Sequence, residues 1–268
     1  MATDKDSMKN ILIVALSVCF VCSVIVSGTA VSLKPERIAN KALDRNKNIL
    51  IAAGLFEKGV TAESEIDGLF ESFEIRVVDF QAKRMLSEQE VADTGIDFGR
   101  YDQRKAAKDP ATSVALSTRE DIASISRRAN YAIVYLLKED GELDRIVLPV
   151  HGYGLWSTLY GFISIESDGN TVSGITFYEH QETAGLGGEV DNPRWKGLWP
   201  GKEVYDESGD VALRVIKGAV VPGSANAKHQ IDGLSGATLT SRGVRNLIEY
   251  WLGDQAFGPV IKELRGNT

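Results

Sequence analysis

The sequence predicts an α+β protein, in which one N-terminal membrane-spanning helix precedes a domain with a mixed or antiparallel sheet and flanking helices. Three observations support this fold class. Residues 11–33 contain no charged residue, and a run of this length can cross a bilayer. Short apolar runs separated by turn residues fill the middle of the remaining chain, as is typical of strands. Apolar residues at helical spacing occur on both sides of those runs, which favours an α+β arrangement.

Composition and charge exclude several classes of function. The chain has 268 residues and a net charge of −7, and no basic stripe with interleaved aromatic residues occurs, so nucleic acid is not expected as a partner. Its two cysteines, Cys19 and Cys22, both lie in the apolar run, where we interpret them as small apolar side chains without a redox or metal-binding role. The remaining chain has no thiol for an iron–sulfur cluster or a disulfide.

The N-terminal segment is divided into a short polar tail, residues 1–10, and a transmembrane helix, residues 11–33. A cleaved signal peptide is the alternative, with a cleavage site at 28–30, but the apolar run is longer than a typical signal core. We therefore expect a retained anchor. Two basic residues precede the run and five follow it: Lys5 and Lys9, then Lys34, Arg37, Lys41, Arg45 and Lys47. The positive-inside rule alone places the following domain in the cytoplasm, although long domains translocate largely regardless of charge.

The first part of the domain is predicted to be helical. A helix over residues 35–57 has an apolar stripe of Ile38, Ala42, Ile49, Ala53 and Phe56, and a second short helix is expected over residues 60–72. A strand follows at 74–80. Residues 82–130 are polar and poor in large apolar residues, so we expect a mostly surface-exposed segment that is partly helical.

The second half is predicted to form the sheet and one final helix. Strands are expected at residues 131–137 and 146–150, which form a hairpin around the turn at 139–142, and at 160–165 and 172–178, which flank a turn at 167–170. The final helix has apolar residues at i, i+3, i+4 and i+7, namely Val244, Leu247, Ile248 and Trp251, which is the spacing of one buried face.

A small, hydroxyl-rich stretch, residues 232–240, directly precedes this final helix. Ser235 and Thr238 are expected to cap the helix N-terminus. Free N–H groups and the positive end of the helix dipole make such a position suitable for a phosphate group. An ordinary loop with a helix cap is the simpler interpretation of the same composition.

Two further stretches combine glycines with groups that suit a ligand. Residues 151–161 contain glycines that allow close backbone approach and aromatic side chains, among them Trp156, that can lie against a planar ring. Residues 180–188 again contain glycines, and Glu182 and Thr183 supply hydrogen-bonding groups. Taken alone, either stretch is equally well explained as a glycine-rich turn.

The complete string Asp-Gly-Leu-Ser-Gly-Ala-Thr at 232–238 resembles the acceptor motif of a flavin transferase, which joins FMN through its phosphate to the last threonine. This resemblance makes Thr238 the attachment residue and leaves Thr240 and Ser241 as alternatives or ordinary helix hydroxyls. The three stretches together resemble the FMN-binding domain shared by the C-type subunit of the sodium-translocating NADH:quinone reductase and the G-type subunit of the Rnf complex. Residues 180–187 match a segment of both, with Ala184 where proline is common.

This resemblance implies that the FMN-binding domain spans residues 34–268 and that covalent FMN relays single electrons. The surroundings of Trp156 and the chain length favour the sodium-pump subunit, which is part of a NADH:ubiquinone oxidoreductase and has no catalytic residue or metal of its own. The implied cofactor-binding residues are Thr238, Ser235, Gly236, Ala237, Asp232, Glu182, Thr183, Gly185, Leu186, Gly187, Trp156 and Lys217. The alternatives are the G-type subunit of an Rnf-type ferredoxin/NAD complex and an anchored FMN-binding docking or sensor protein.

The same resemblance implies partners and a location. The partners are the other membrane subunits of the complex, including a second FMN-bearing subunit, and a flavin transferase for maturation. The location is the bacterial inner membrane, with one membrane pass and the C-terminal domain on the periplasmic side. Residues 11–33 contain no carboxylate, so we expect sodium to pass through partner subunits rather than through this helix.

Overall fold

The computed structural model describes residues 7–266, so most of the predicted polar tail and the last two residues lie outside the described part. The chain divides between Asp44 and Arg45 into two compact units. The helices, in chain order, are α1 (Met8–Ser32), α2 (Lys34–Ala52), α3 (Ile66–Phe70), α4 (Glu88–Thr94), α5 (Gln103–Ala106), α6 (Pro193–Lys196), α7 (Thr238–Leu252) and α8 (Gly258–Gly266). The strands are β1 (Phe73–Asp79), β2 (Arg84–Met85), β3 (Ser113–Ala115), β4 (Arg127–Ala129), β5 (Tyr131–Glu139), β6 (Glu142–Tyr153), β7 (Thr158–Glu166), β8 (Val172–Glu179), β9 (Arg214–Val215) and β10 (Gln230–Ile231). Single 3-10 turns occur at Glu63–Glu65, Gly187–Asp191 and Ala227–His229.

Helix α1 confirms the predicted apolar helix and begins three residues before the predicted start. All 25 of its residues are unburied, although most of them are apolar. By length and composition it is able to cross a membrane. Apolar side chains gain free energy when they leave water, as they do when a helix of this kind lies in a bilayer.

Helix α2 is shorter than the predicted helix over residues 35–57. The chain leaves the helix at Gly54, whose φ of +73° is left-handed. The N–H of Leu55 donates to the carbonyl of Leu50 at 2.9 Å and that of Gly54 to Ile51 at 3.1 Å, which is the hydrogen-bond pattern of a Schellman C-cap. Phe56 is buried but lies beyond the helix, and Ile38 of the predicted apolar stripe is 61% exposed.

The main sheet has six antiparallel strands in the order β2-β1-β5-β6-β7-β8, so the antiparallel prediction is confirmed for it. Parallel pairing occurs in the separate pair β9–β10. The β5–β6 hairpin turns at Asp140 and Gly141, whose φ values of 52° and 87° match a type I′ turn. Strand β6 has 12 residues and pairs with β7 as far as Tyr153 opposite Thr158, so it extends well beyond the predicted strand at 146–150.

Helix α7 packs on the sheet through the predicted face. Val244, Leu247, Ile248 and Trp251 are each 0% exposed, and burying a side chain of this size contributes about 1.5–3 kcal/mol. The indole Nε1 of Trp251 also donates to the carbonyl of His151 in β6 at 2.6 Å. This packing sets the start of α7 beside the end of β6.

Residues 82–130 contain helices, as expected, and also strands that were not predicted, and they are tied to the sheet. They contain β2, α4, α5 and the antiparallel pair β3–β4. From α5, the guanidinium of Arg104 donates to both carboxylate oxygens of Glu179 at 2.6 Å. The same group lies 3.6 Å from the ring centroid of Tyr160, and these two contacts hold the segment against β7 and β8.

Candidate functional site

Helix α7 begins at Thr238, and its N-cap is Ala237, which has no side-chain capping bond. The expectation that Ser235 or Thr238 caps this helix is therefore wrong. Thr238 is the first helical residue and Ser235 lies before the cap, so neither side chain satisfies the first backbone N–H groups. Those N–H groups have no intrahelical acceptor, and they lie at the positive end of a 15-residue helix.

The loop between β10 and α7 is hydrogen-bonded to the loop that follows β9. The Oδ1 atom of Asp232 accepts the N–H of Val220 at 2.8 Å, and its carbonyl accepts the indole N–H of Trp195 at 2.8 Å. The N–H of Gly233 donates to the carbonyl of Gly218 at 2.8 Å. Asp232, predicted as a cofactor-binding residue, thus uses these bonds to connect two loops.

Glu182 joins the turn after β6 to the first turn of α7. Its Oε1 atom accepts the N–H groups of Leu155, Trp156 and Ser157 at 3.0, 2.8 and 3.2 Å. Its Oε2 atom accepts the hydroxyl of Thr240 at 2.6 Å. Because Glu182 is 8% exposed, these bonds provide the polar partners that a buried carboxylate needs.

Two opposing effects act on the ionisation of Glu182. Burial raises the pKa of its carboxyl, but the hydrogen bond from Thr240 and those from the backbone of Trp156, Leu155 and Ser157 lower it by more. The pKa lies below its ordinary value as a result, and the group is a carboxylate at neutral pH.

Glycines allow these segments to approach one another. A Cβ at Gly187 would lie 2.5 Å from the hydroxyl of Thr240 and 2.6 Å from the carboxylate of Glu182. A Cβ at Gly154 would lie 2.7 Å from the same carboxylate. Real Cβ atoms do not come this close, so both positions need glycine if Glu182 is to stay where it is.

The hydroxyls near the start of α7 differ in access. Thr238 is exposed, whereas Thr240 is 0% exposed and its hydroxyl is bonded to Glu182. Ser241 is 5% exposed, and its hydroxyl oxygen accepts the N–H of Leu234 at 2.9 Å. Of these three hydroxyls, only that of Thr238 is open to a bulky substituent.

A cavity of about 190 Å³ lies beside Thr238. Lys217, predicted as a positive charge near the ligand, lines it together with Arg242 and Arg245. The two arginines were missed from the sequence, although their spacing of four and seven residues from Thr238 places them on the same helix face. Lys217 is distant from Thr238 in the sequence, and the fold of its loop brings it to the same cavity.

The other predicted residues, together with Leu239, which was not predicted, form an exposed rim around the first turn of α7. A Cβ at Gly236 would lie 2.9 Å from the Cδ2 atom of Leu186, so the loop at 180–188 reaches the loop before α7. Leu186 and Leu239 are each 43% exposed, and Trp156 is 65% exposed. Three further exposed residues complete this rim: Thr183, Gly185 and Ser235.

A comparison with family models shows that residues 154–253 match the FMN-binding domain. This range contains all twelve predicted cofactor-binding residues.

Relatives of nearly full length were found in a comparison with curated proteins. The chain is 52% identical over 263 residues to the C subunit of the Na(+)-translocating NADH-quinone reductase of Pseudomonas aeruginosa, covering 98% of both chains. It is 47% identical over 266 residues to that of Vibrio parahaemolyticus, covering 99% of this chain and 98% of the relative.

A solved structure has the same fold. The crystal structure of Shewanella oneidensis NqrC superposes with a TM-score of 0.73 at 35% identity, covering 85% of this chain and 99% of that one.

Proposed function

The chain belongs to the NqrC family, the C subunits of Na(+)-translocating NADH-quinone reductases, and from this membership we propose that it carries FMN covalently on Thr238 and relays single electrons. It contains an FMN-binding domain and is part of an oxidoreductase complex. The observation that carries the proposal is the exposed Thr238 hydroxyl at the start of α7, beside a cavity with three basic side chains.

The residues at this site fit a phosphate-linked flavin. Thr238 offers a free hydroxyl for the ester bond, and the unpaired N–H groups of the helix start favour a negative charge beside it. The exposed rim of Trp156, Leu186 and Leu239 offers apolar surface to a planar ring. Thr240 fits this role less well because its hydroxyl is buried against Glu182.

Bound FMN supplies the capacity to accept and release electrons one at a time. The chain's own residues hold the attachment point in place. Glu182 fixes the start of α7 relative to the turn at 154–157, and Asp232 fixes the loop that leads into the helix. A covalent bond keeps the cofactor at a high effective concentration beside these residues.

The relatives favour the sodium-pump subunit over the Rnf-type subunit, because they are named for the former. The other subunits of the complex are then the partners, including a second FMN-bearing subunit that accepts the electron, and a flavin transferase attaches the cofactor. An anchored FMN-binding docking or sensor protein is the alternative. It differs from a carrier because its flavin would not be reduced by NADH when the other subunits are present.

Attachment is tested by mass spectrometry of the full chain expressed with a flavin transferase. We expect an FMN-sized mass increment on the tryptic peptide of residues 229–242, and its loss in Thr238→Ala, because Thr238 has the exposed hydroxyl. Thr240→Val is the matched control and is expected to keep the increment. An unmodified peptide in the wild-type chain would remove the basis of the carrier function. A modification that survives Thr238→Ala would move the bond to another residue.

We also propose that α1 holds the domain on the periplasmic side of the membrane. Cys19 and Cys22 are the only cysteines in the sequence, so a chain with both replaced by alanine is thiol-free and accepts single reporters. Ser224→Cys, at an exposed residue, is expected to react with a membrane-impermeant maleimide in intact spheroplasts. Ser7→Cys, before α1, is expected to react only after permeabilisation. The reverse pattern would place the domain in the cytoplasm, as the flanking charges alone predict.

A further inference from the structure

The cavity beside Thr238 has an unusual charge balance for this protein. The chain as a whole has 37 acidic and 30 basic side chains. The cavity lining contains three basic side chains and no acidic one: Val215, Ile216, Lys217, Gly218, Gly233, Leu234, Thr238, Ser241, Arg242 and Arg245. Like charges around one small cavity repel one another, so the lining is suited to an anion.

The three basic side chains are not equally available. Arg245 has a partner in Glu249, with an N–O distance of 3.9 Å. Within residues 7–266, Arg242 and Lys217 form no ion pair. Two positive charges thus remain for an anion in the cavity.

Geometry connects these charges to Thr238. Arg242 is four residues after Thr238 in α7, so both side chains lie on the same face one turn apart. Lys217, two residues after β9, also lines the cavity. The loop that carries it is bonded to the loop before α7 through Gly218 and Gly233, so the lysine is held beside the start of the helix.

We infer that Arg242 and Lys217 are the counter-charges of the phosphodiester that joins FMN to Thr238. This inference rests on the proposed function. A phosphodiester keeps one negative charge and two free oxygens. A guanidinium fork can donate to both oxygens, and an ammonium group adds a second charge. Both residues are positioning residues, because they act on the linker and not on the redox-active ring.

The inference is tested by comparing melting temperatures of the loaded and unloaded full-length protein in detergent. The unloaded form is produced without the flavin transferase. We expect loading to raise the melting temperature of the wild-type chain by about 3 °C or more, as one charge-assisted contact does in a domain of this size. Arg242→Gln and Lys217→Gln are each expected to reduce this rise, and the double variant to reduce it further than either single variant.

Arg119→Gln is the matched control, because Arg119 is exposed and outside the cavity lining. It is expected to leave the rise unchanged. Higher salt is expected to weaken the rise in the wild-type chain, because ions screen partly exposed charges.

The outcomes separate the two proposals. A normal mass increment on Thr238, together with the same rise on loading in wild type, Arg242→Gln and the double variant, would overturn the inference and leave the carrier function intact. No increment on wild-type Thr238 would overturn the carrier function, and the inference with it.

Discussion

Replacing Glu182 by alanine is expected to lower the melting temperature of the full-length protein in detergent by about 6–12 °C, which corresponds to about 3 kcal/mol. The carboxylate accepts three backbone N–H groups and one hydroxyl. Alanine removes all four acceptor contacts and leaves partly buried donors without a partner. Glu182→Gln keeps an acceptor oxygen of the same size, so a smaller loss of about 1 kcal/mol is expected from the missing charge.

Lowering the pH also tests the contribution of the Glu182 carboxylate to stability, and the direction of the expected change follows from its pKa. The folded-state pKa of Glu182 lies below its ordinary value of 4.5, so the unfolded chain takes up a proton first as the pH falls. The stabilisation by the charged form is complete above about pH 4.5 and decreases as the pH falls through the folded-state pKa. The difference in melting temperature between wild type and Glu182→Gln is therefore expected to be constant near neutral pH and to shrink in acid.

Glu179→Ala is the control for both experiments. Glu179 lies three residues earlier and also has a charged partner, Arg104, but its side chain is 52% exposed. An exposed pair contributes about 1 kcal/mol or less, so the melting temperature is expected to fall by at most a few degrees. Equal losses for Glu179→Ala and Glu182→Ala would show that Glu182 does not connect the turn to the helix.

The behaviour of Glu182 also shows where sequence reasoning stops. From its residue type and its glycine-rich surroundings, Glu182 was predicted to form hydrogen bonds to a ligand. Its partners lie 25–27 residues before it and 58 residues after it, and no local pattern reveals such pairings. Asp232 is a similar case, since its carboxylate bonds the backbone of Val220. A polar residue in a conspicuous motif can thus serve the scaffold of the site instead of the ligand.

Other features could be predicted because they depend on local rules. The buried face of α7 followed from helical spacing alone, and Arg242 and Arg245 could have been found by extending that spacing from Thr238. The N-cap of α7 could not be predicted in this way, because the residue at that position is Ala237, which has no side-chain oxygen to accept a backbone N–H. The predicted strand at 146–150 includes Pro149, which lacks an N–H, but β6 is longer than predicted at both ends. Its pairing with β5 reaches only to Val147, so Pro149 interrupts no bond to that neighbour.

The second large effect is expected at Gly243, where helix propensity and packing predict opposite signs. Alanine is favoured over glycine inside a helix by about 1 kcal/mol. At Gly243, however, a Cβ would lie 2.4 Å from the carbonyl oxygen of Tyr153 and 2.8 Å from the Cα of Gly154. Both are backbone atoms, which cannot move aside as a flexible side chain can. We expect Gly243→Ala to lower the melting temperature by about 2–12 °C, since overpacking of this kind costs about 1–3 kcal/mol.

Gly68→Ala, in α3, isolates the packing effect because nothing lies within 4 Å of its Cβ position. There only helix propensity acts, so an unchanged or slightly higher melting temperature is expected. A loss at Gly243 and a gain at Gly68 would show that the close contact between α7 and the turn after β6 decides the result. Because that contact also sets the position of Thr238 relative to the 154–157 turn, the fraction of Thr238 modified is expected to fall in Gly243→Ala and to stay unchanged in Gly68→Ala. A normally stable and fully modified Gly243→Ala protein would contradict the tight packing of the helix start on which the proposed site depends.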